Sequence, residues 1–276
     1  MLKYLKWVLP LSLIAYIYYP TFVWMADRWF AGDSYYGHGV LVPFVSLYWI
    51  FKEKNRLASC EKKSHFLGLV IFMFGALLQA ASSLLRIYFL SGISFVFVLF
   101  GSIYFLFGKN TIRLIWFPIA FLLMMVPLPL LLISEITLKL KFLVSEISTY
   151  FVNAIGIHAV QQGSYIYTPN AVCLVGDPCS GLRSFLAFLC LGLIFAYMGR
   201  FSFWKRLILV VTGLPLAIVF NVFRVFMMTI LGEIYGMELV STKAVHDGGG
   251  IVVFALALIC FLILKRKLED SHVSVR

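Results

Sequence analysis

Charge is scarce in this chain, and negative charge scarcest: 276 residues carry 12 Asp and Glu against 23 Lys and Arg, and 13% of residues are charged. A soluble domain of this size could not hide the apolar surface of a chain that is 62% hydrophobic, so most of it is expected in lipid. The cysteines at 60, 173, 179, 190 and 260 show no C-x-x-C spacing and no Cys/His pattern of metal-ligand type, which argues against a structural zinc. Internal repeats and low-complexity linkers are also lacking, and one integral-membrane domain over residues 1–276 is expected. Nothing in the sequence requires a metal or an organic cofactor.

What remains is apolar runs and the basic residues between them. Eight membrane helices are expected, near 7–26, 38–51, 66–86, 88–107, 114–133, 179–198, 206–231 and 249–264, giving an all-α polytopic protein. The first run is longer than a signal-peptide core and lacks a small-x-small cleavage site, so it reads as an uncleaved helix. The second is short, and runs of that length are more often interfacial or re-entrant. The formal net charge of +11 would suit an acidic partner such as nucleic acid. The positive-inside rule explains it better. With the N-terminus in the cytoplasm, Lys3 and Lys6, Lys52 to Lys63, Lys109 and Arg113, Arg200 to Arg206, and Lys265, Arg266, Lys267 and Arg276 all fall on the cytoplasmic side. Both termini are then cytoplasmic in a cytoplasmic (inner) membrane, and no nucleic acid is expected as a partner.

Residues 134–178 lie outside in this topology. Glu135, Lys139, Lys141 and Glu146 among Leu, Ile, Val and Phe read as an amphipathic helix on the outer leaflet. The alternation Ser164-Tyr165-Ile166-Tyr167 reads as a short extended segment. It leads to Cys179 and the helices over 179–264. Asp177 can cap the sixth helix and Pro178 suits its first position. Cys179 then sits in the first turn, where the dipole and Arg183 on the same face favour a thiolate and Asp177 opposes them; the expected net shift is downward, unless desolvation reverses it. Arg224 lies 18 residues beyond Arg206, about 27 Å up the seventh helix, at a similar outer depth. Asn221 shares its face and can orient the guanidinium. His246 precedes Gly248-Gly249-Gly250 at the outer start of the eighth helix. His38 and Arg86 map to the same side. Cys190 and Cys260 read as packing residues, whereas an arginine in lipid is costly and calls for a function or a partner.

With these residues in view, the chain resembles the exosortase/archaeosortase family of integral-membrane cysteine transpeptidases. The resemblance rests on Tyr36-Gly37-His38-Gly39-Val40-Leu41-Val42-Pro43, on Phe117-Pro118 through Pro127-Leu128-Pro129, and most strongly on Cys179-Ser180-Gly181-Leu182-Arg183, Asn221-Val222-Phe223-Arg224-Val225 and His246-Asp247 in that order. Asp177-Pro178 departs from the Glu-Ala-like pair of many relatives. No soluble domain is expected beyond the last helix, although some relatives carry one. The resemblance implies Cys179 as nucleophile, with Arg224 and His246 completing the catalytic site. Ser180, Arg183, Asn221, Asp247, His38 and Arg86 are expected to support it or to bind substrate. It also implies substrates with a C-terminal recognition motif, an apolar helix and a basic tail, of the Pro-Glu-Pro type tied to exopolysaccharide production in bacteria. Membrane lipid is a further partner, and a lipid or glycan could accept the cleaved protein. A non-enzymatic transporter or exopolysaccharide-assembly subunit is the rival reading. A scaffold held by a Cys173–Cys179 disulfide is a third.

Overall fold

Glycine and proline set where the helices of this chain bend and stop. The structure is a computed structural model that describes residues 2–32 and 34–270. Arg276, grouped above with the cytoplasmic basic residues, lies outside the described residues. The chain divides into two compact units, Met1–Pro129 and Leu130–Arg276.

In the first unit, α1 (Leu2–Phe30) is followed by a 3-10 turn (Gly37–Val40), α2 (Leu41–Lys52), α3 (Lys54–Ser59), α4 (Phe66–Leu85) and α5 (Tyr88–Phe121). A helical hairpin of α4 and α5 is its centre. Tyr18 and Thr21 of α1 hydrogen-bond Ser94 and Ser91 of α5, at 2.6 and 2.5 Å. The helical run Tyr88–Phe121 is two helices that meet at a kink at Gly108 (φ 79°, ψ −173°), so the spans expected at 88–107 and 114–133 are separate helices, the second starting a few residues earlier than expected. Lys109 and Arg113 are therefore helical rather than in a loop. Pro127 and Pro129 follow a closing 3-10 turn, Leu122–Met125, and end the run.

In the second unit, α6 (Leu130–Ala154) leads into three short strands, β1 (Val160–Gln162), β2 (Tyr165–Tyr167) and β3 (Val172–Leu174). They form an antiparallel sheet in which Ile166 faces Gln161 on one side and Cys173 on the other. The expected extended segment is its middle strand, with Ile166 fully buried between two exposed tyrosines. Next come a 3-10 turn (Asp177–Cys179), α7 (Leu182–Met198), α8 (Phe203–Val211), α9 (Gly213–Tyr235), α10 (Met237–Val240) and α11 (Lys243–Asp270). The span expected at 206–231 lies within Phe203–Tyr235; Thr212 keeps helical dihedrals (φ −62°, ψ −20°), and the interruption there is local, because Pro215 has no N–H to give the Val211 carbonyl. The buried stripe of α6 carries Val144, Ser145, Ser148 and Val152, and Ser148 Oγ donates to the Val222 carbonyl of α9 at 3.2 Å.

Among the described residues, four segments are long and apolar enough to cross a membrane: Phe66–Leu85, Tyr88–Met125, Phe203–Tyr235 and Lys243–Glu269. The protein is an all-α integral membrane protein with a few short strands; the spans expected at 66–86, 206–231 and 249–264 each match one of these segments, and those at 88–107 and 114–133 share one. The runs at 38–51 and 179–198 are the 12-residue α2 and the 17-residue α7. The 29-residue α1 is not among the four.

Candidate active site

The thiol, the guanidinium and the imidazole singled out in the sequence lie together in the second unit. Cys179 closes the 3-10 turn and is 6% exposed. It is not in the first turn of α7, because Gly181 takes a left-handed conformation (φ 82°) and the helix starts at Leu182. A side chain at 181 would be strained there, and its Cβ would also press on Asn221 at 3.3 Å. This displacement changes the roles expected of several neighbours. Arg183 is exposed on α7, not one helical turn from the thiol. Ser180 is buried, and its Oγ accepts from the Leu182 N–H at 3.3 Å, so it helps begin the helix. Asp177 caps no helix; its carboxylate pairs with the ammonium of Lys141 on α6. The Asn221 amide donates to the Cys179 carbonyl, a contact with the turn that the sequence did not suggest.

His246 lies in the first turn of α11, which starts before the glycines and not after them. Its Nε2 is 3.6 Å from Cys179 Sγ. Its Nδ1 is 3.3 Å from Asp247 Oδ1. A proton on Nδ1 donated to Asp247 leaves Nε2 as the acceptor that a thiol requires. Arg224 Nη2 donates to the His246 carbonyl at 2.9 Å, tying α9 to α11 beside the imidazole. The close approach depends on Gly250, where a Cβ would stand 3.2 Å from the guanidinium carbon. A cavity of about 220 Å³ opens against Cys179 and His246, with apolar walls that include Val225, Met228, Met237 and Val240.

Burial raises the Cys179 pKa, opposed by the Arg224 charge, a backbone hydrogen bond with Gly176 and the Lys141 charge. The expected downward shift is therefore reversed, because desolvation outweighs the cations. Lys141 was not a candidate from sequence, since its ion pair with Asp177 crosses a long stretch of chain that periodicity cannot see. A pH titration of Cys179 alkylation by iodoacetamide should show reactivity climbing as pH rises, with a midpoint above the ordinary thiol value. Arg224→Gln should push that midpoint higher, and Lys141→Met should do so to a smaller extent. A midpoint that neither substitution moves would contradict this electrostatic picture. Cys173 is buried on β3 near Cys179 and hydrogen-bonds Thr229; both thiols are free.

His38 and Arg86 belong to the first unit. His38 is half-buried in the 3-10 turn against Tyr36, with ring centroids 5.8 Å apart. Arg86 ends α4. Among the described residues, no group of three or more His, Cys, Asp or Glu could hold a metal ion.

Fold and site together define a polytopic membrane protein with a buried thiol facing an imidazole and an arginine beside both. The family model described as transmembrane exosortase (Exosortase_EpsH) matches residues 24–263, and the chain belongs to that family. No match was found among curated proteins or among solved structures.

Proposed function

We propose that this protein is a membrane-embedded cysteine protease or transpeptidase that cuts the C-terminal sorting signal of exported proteins near the outer face of the cytoplasmic membrane. The observation that carries the reading is the 3.6 Å approach of Cys179 Sγ to His246 Nε2, with Asp247 behind the ring. The Cys179 thiol gives its proton to Nε2 as sulfur attacks the carbonyl carbon ahead of the substrate's membrane helix. Arg224 stabilises the resulting oxyanion. The imidazolium returns the proton to the departing amine, the C–N bond breaks, and a Cys179 thioester remains. Water, an amine or a hydroxyl then attacks the thioester, with His246 taking the attacker's proton and sulfur recovering it. The substrate carries a recognition motif of the Pro-Glu-Pro type, an apolar helix and a basic tail, and the tail stays cytoplasmic by the same charge rule that places both termini of the enzyme there. The apolar cavity beside the thiol suits a nonpolar side chain next to the scissile bond.

Co-expression with a protein bearing such a signal, followed by intact-mass analysis, tests the assignment. A product cut ahead of the apolar helix is expected, and any added mass identifies the acceptor; an uncut substrate in a correctly inserted, abundant enzyme would refute it. Asp247→Asn should slow the reaction less than the about 10⁴-fold loss seen for a buried triad carboxylate. Asp247 is 56% exposed, so a loss on the order of tenfold is expected. Single-turnover rates on wild type and variant measure it, and equal rates would remove Asp247 from the site.

A further inference from the structure

The first unit contains a polar cavity that the proposed chemistry does not use. It measures about 270 Å³ and is lined by Thr21, Gln79, Ser82, Ser83, Arg86 and Ser91, among others, from α1, α4, α5 and the turn between the last two. Gln79, Ser82, Ser91 and Thr21 are all buried. Gln79 Oε1 accepts from Ser91 Oγ at 2.7 Å, and Ser91 Oγ is 2.5 Å from Thr21 Oγ1. These groups form a polar floor between apolar helices, held together by hydrogen bonds among themselves.

Arg86 supplies the charge. It is exposed at the end of α4, and no acidic side chain pairs with it among the described residues. It is also the one non-glycine residue with positive φ among those described, at 55°. That conformation closes α4, with the Arg86 and Ile87 N–H groups both donating to the Ser82 carbonyl. Glycine is the usual residue at such a helix end, and a branched carbon there is disfavoured. Arg86 thus stands where glycine would be less strained, and its side chain lines the cavity. Leu84 and Leu85 beside it are 85% and 62% exposed, an apolar surface on which acyl chains can lie. The cavity volume lies just below the range of about 300–1,000 Å³ usual for small-molecule sites, so it suits a headgroup rather than a whole lipid.

The geometry points to a phosphate-binding site: Arg86 pairs with a phosphate group, as carried by a lipid headgroup, and the hydroxyls and amide of the cavity hold its polar remainder. Arginine's planar fork is well matched to phosphate oxygens. This assignment is independent of the chemistry at Cys179.

Native mass spectrometry of the detergent-purified full chain tests it, with phosphatidic acid, diacylglycerol of the same acyl chains, and inorganic phosphate as separate probes. Wild type should retain one phosphatidic acid. Arg86→Gly and Arg86→Gln should each retain at least about tenfold less at the same lipid concentration, and diacylglycerol should not be retained. Arg86→Gly should unfold at the wild-type temperature or above it, since glycine relieves the backbone; a purely structural arginine would lower it. Arg86-dependent retention of phosphatidic acid but not of inorganic phosphate assigns the source to lipid, and retention of inorganic phosphate alone assigns it to a free anion. Equal retention by wild type and both variants, or equal retention of diacylglycerol, overturns the proposal.

Discussion

Membranes carrying Cys179→Ser should process a sorting-signal substrate at least on the order of 10³-fold more slowly than wild type. A serine hydroxyl is much less acidic than a thiol, so the imidazole that faces position 179 takes its proton far less readily. The site is buried, and burial already raises the thiol pKa, so an alkoxide there is more disfavoured still. The substitution removes almost no volume and leaves the turn intact. Asn221 holds the backbone carbonyl of residue 179, not its side chain, and Gly181 sets the turn through its own φ. A folded, membrane-inserted protein with no turnover is therefore expected. This separates the enzyme reading from the transporter and assembly-subunit readings, in which so small a change at position 179 should be tolerated. A Cys179→Ser variant that processes substrate at the wild-type rate would leave only those.

The second large effect is expected at Arg224. Its guanidinium donates to the His246 carbonyl, lies against Gly250 and lowers the Cys179 pKa. Arg224→Gln should reduce the single-turnover rate by about 10²–10³-fold, the usual loss when an oxyanion donor is removed. Arg224→Lys should recover only part of it, because an ammonium keeps the charge but not the fork that reaches the His246 carbonyl. Gly250→Val should cost activity too, although it leaves every charged group in place. A Cβ there would stand 3.2 Å from the guanidinium carbon, tight enough that arginine or α11 must shift slightly, and the two methyls of valine add to the crowding. Circular dichroism and thermal unfolding of the purified variants distinguish the two outcomes. A folded Gly250→Val with wild-type kinetics would show that the guanidinium's position does not matter, and would count against the oxyanion role.

The sequence made the outline of the site legible for a specific reason. Cys179, Arg224 and His246 are chemically conspicuous residues near the ends of apolar runs, and topology put all three at one level. Their meeting in one unit follows from packing of α7, α9 and α11, which periodicity could not reveal. Details failed where one residue's backbone overrode a pattern. Gly181 moves the helix start from Cys179 to Leu182, so the same-face reasoning for Arg183 no longer applies. The local interruption at Thr212, inside an otherwise continuous span, was readable from Pro215, a signal the hydrophobic run concealed. Lys141 was visible only as one charge on an amphipathic helix; its pairing with Asp177 is a long-range contact with no local signature. The helix expected at 88–107 does end at Gly108, but the next one begins at once, so Lys109 and Arg113 are helical and not in a loop. Asn221 was placed correctly beside the site, but its partner is the nucleophile's own carbonyl.

The central claim is a covalent thioester at Cys179. Hydroxylamine trapping during turnover tests it most directly, with the cleaved product read by intact mass. A thioester is captured by hydroxylamine, so wild-type enzyme should release product bearing a C-terminal hydroxamate, and Cys179→Ser should release none. Product that carries only a carboxylic acid at saturating hydroxylamine, or a hydroxamate that forms equally with Cys179→Ser, would contradict the account.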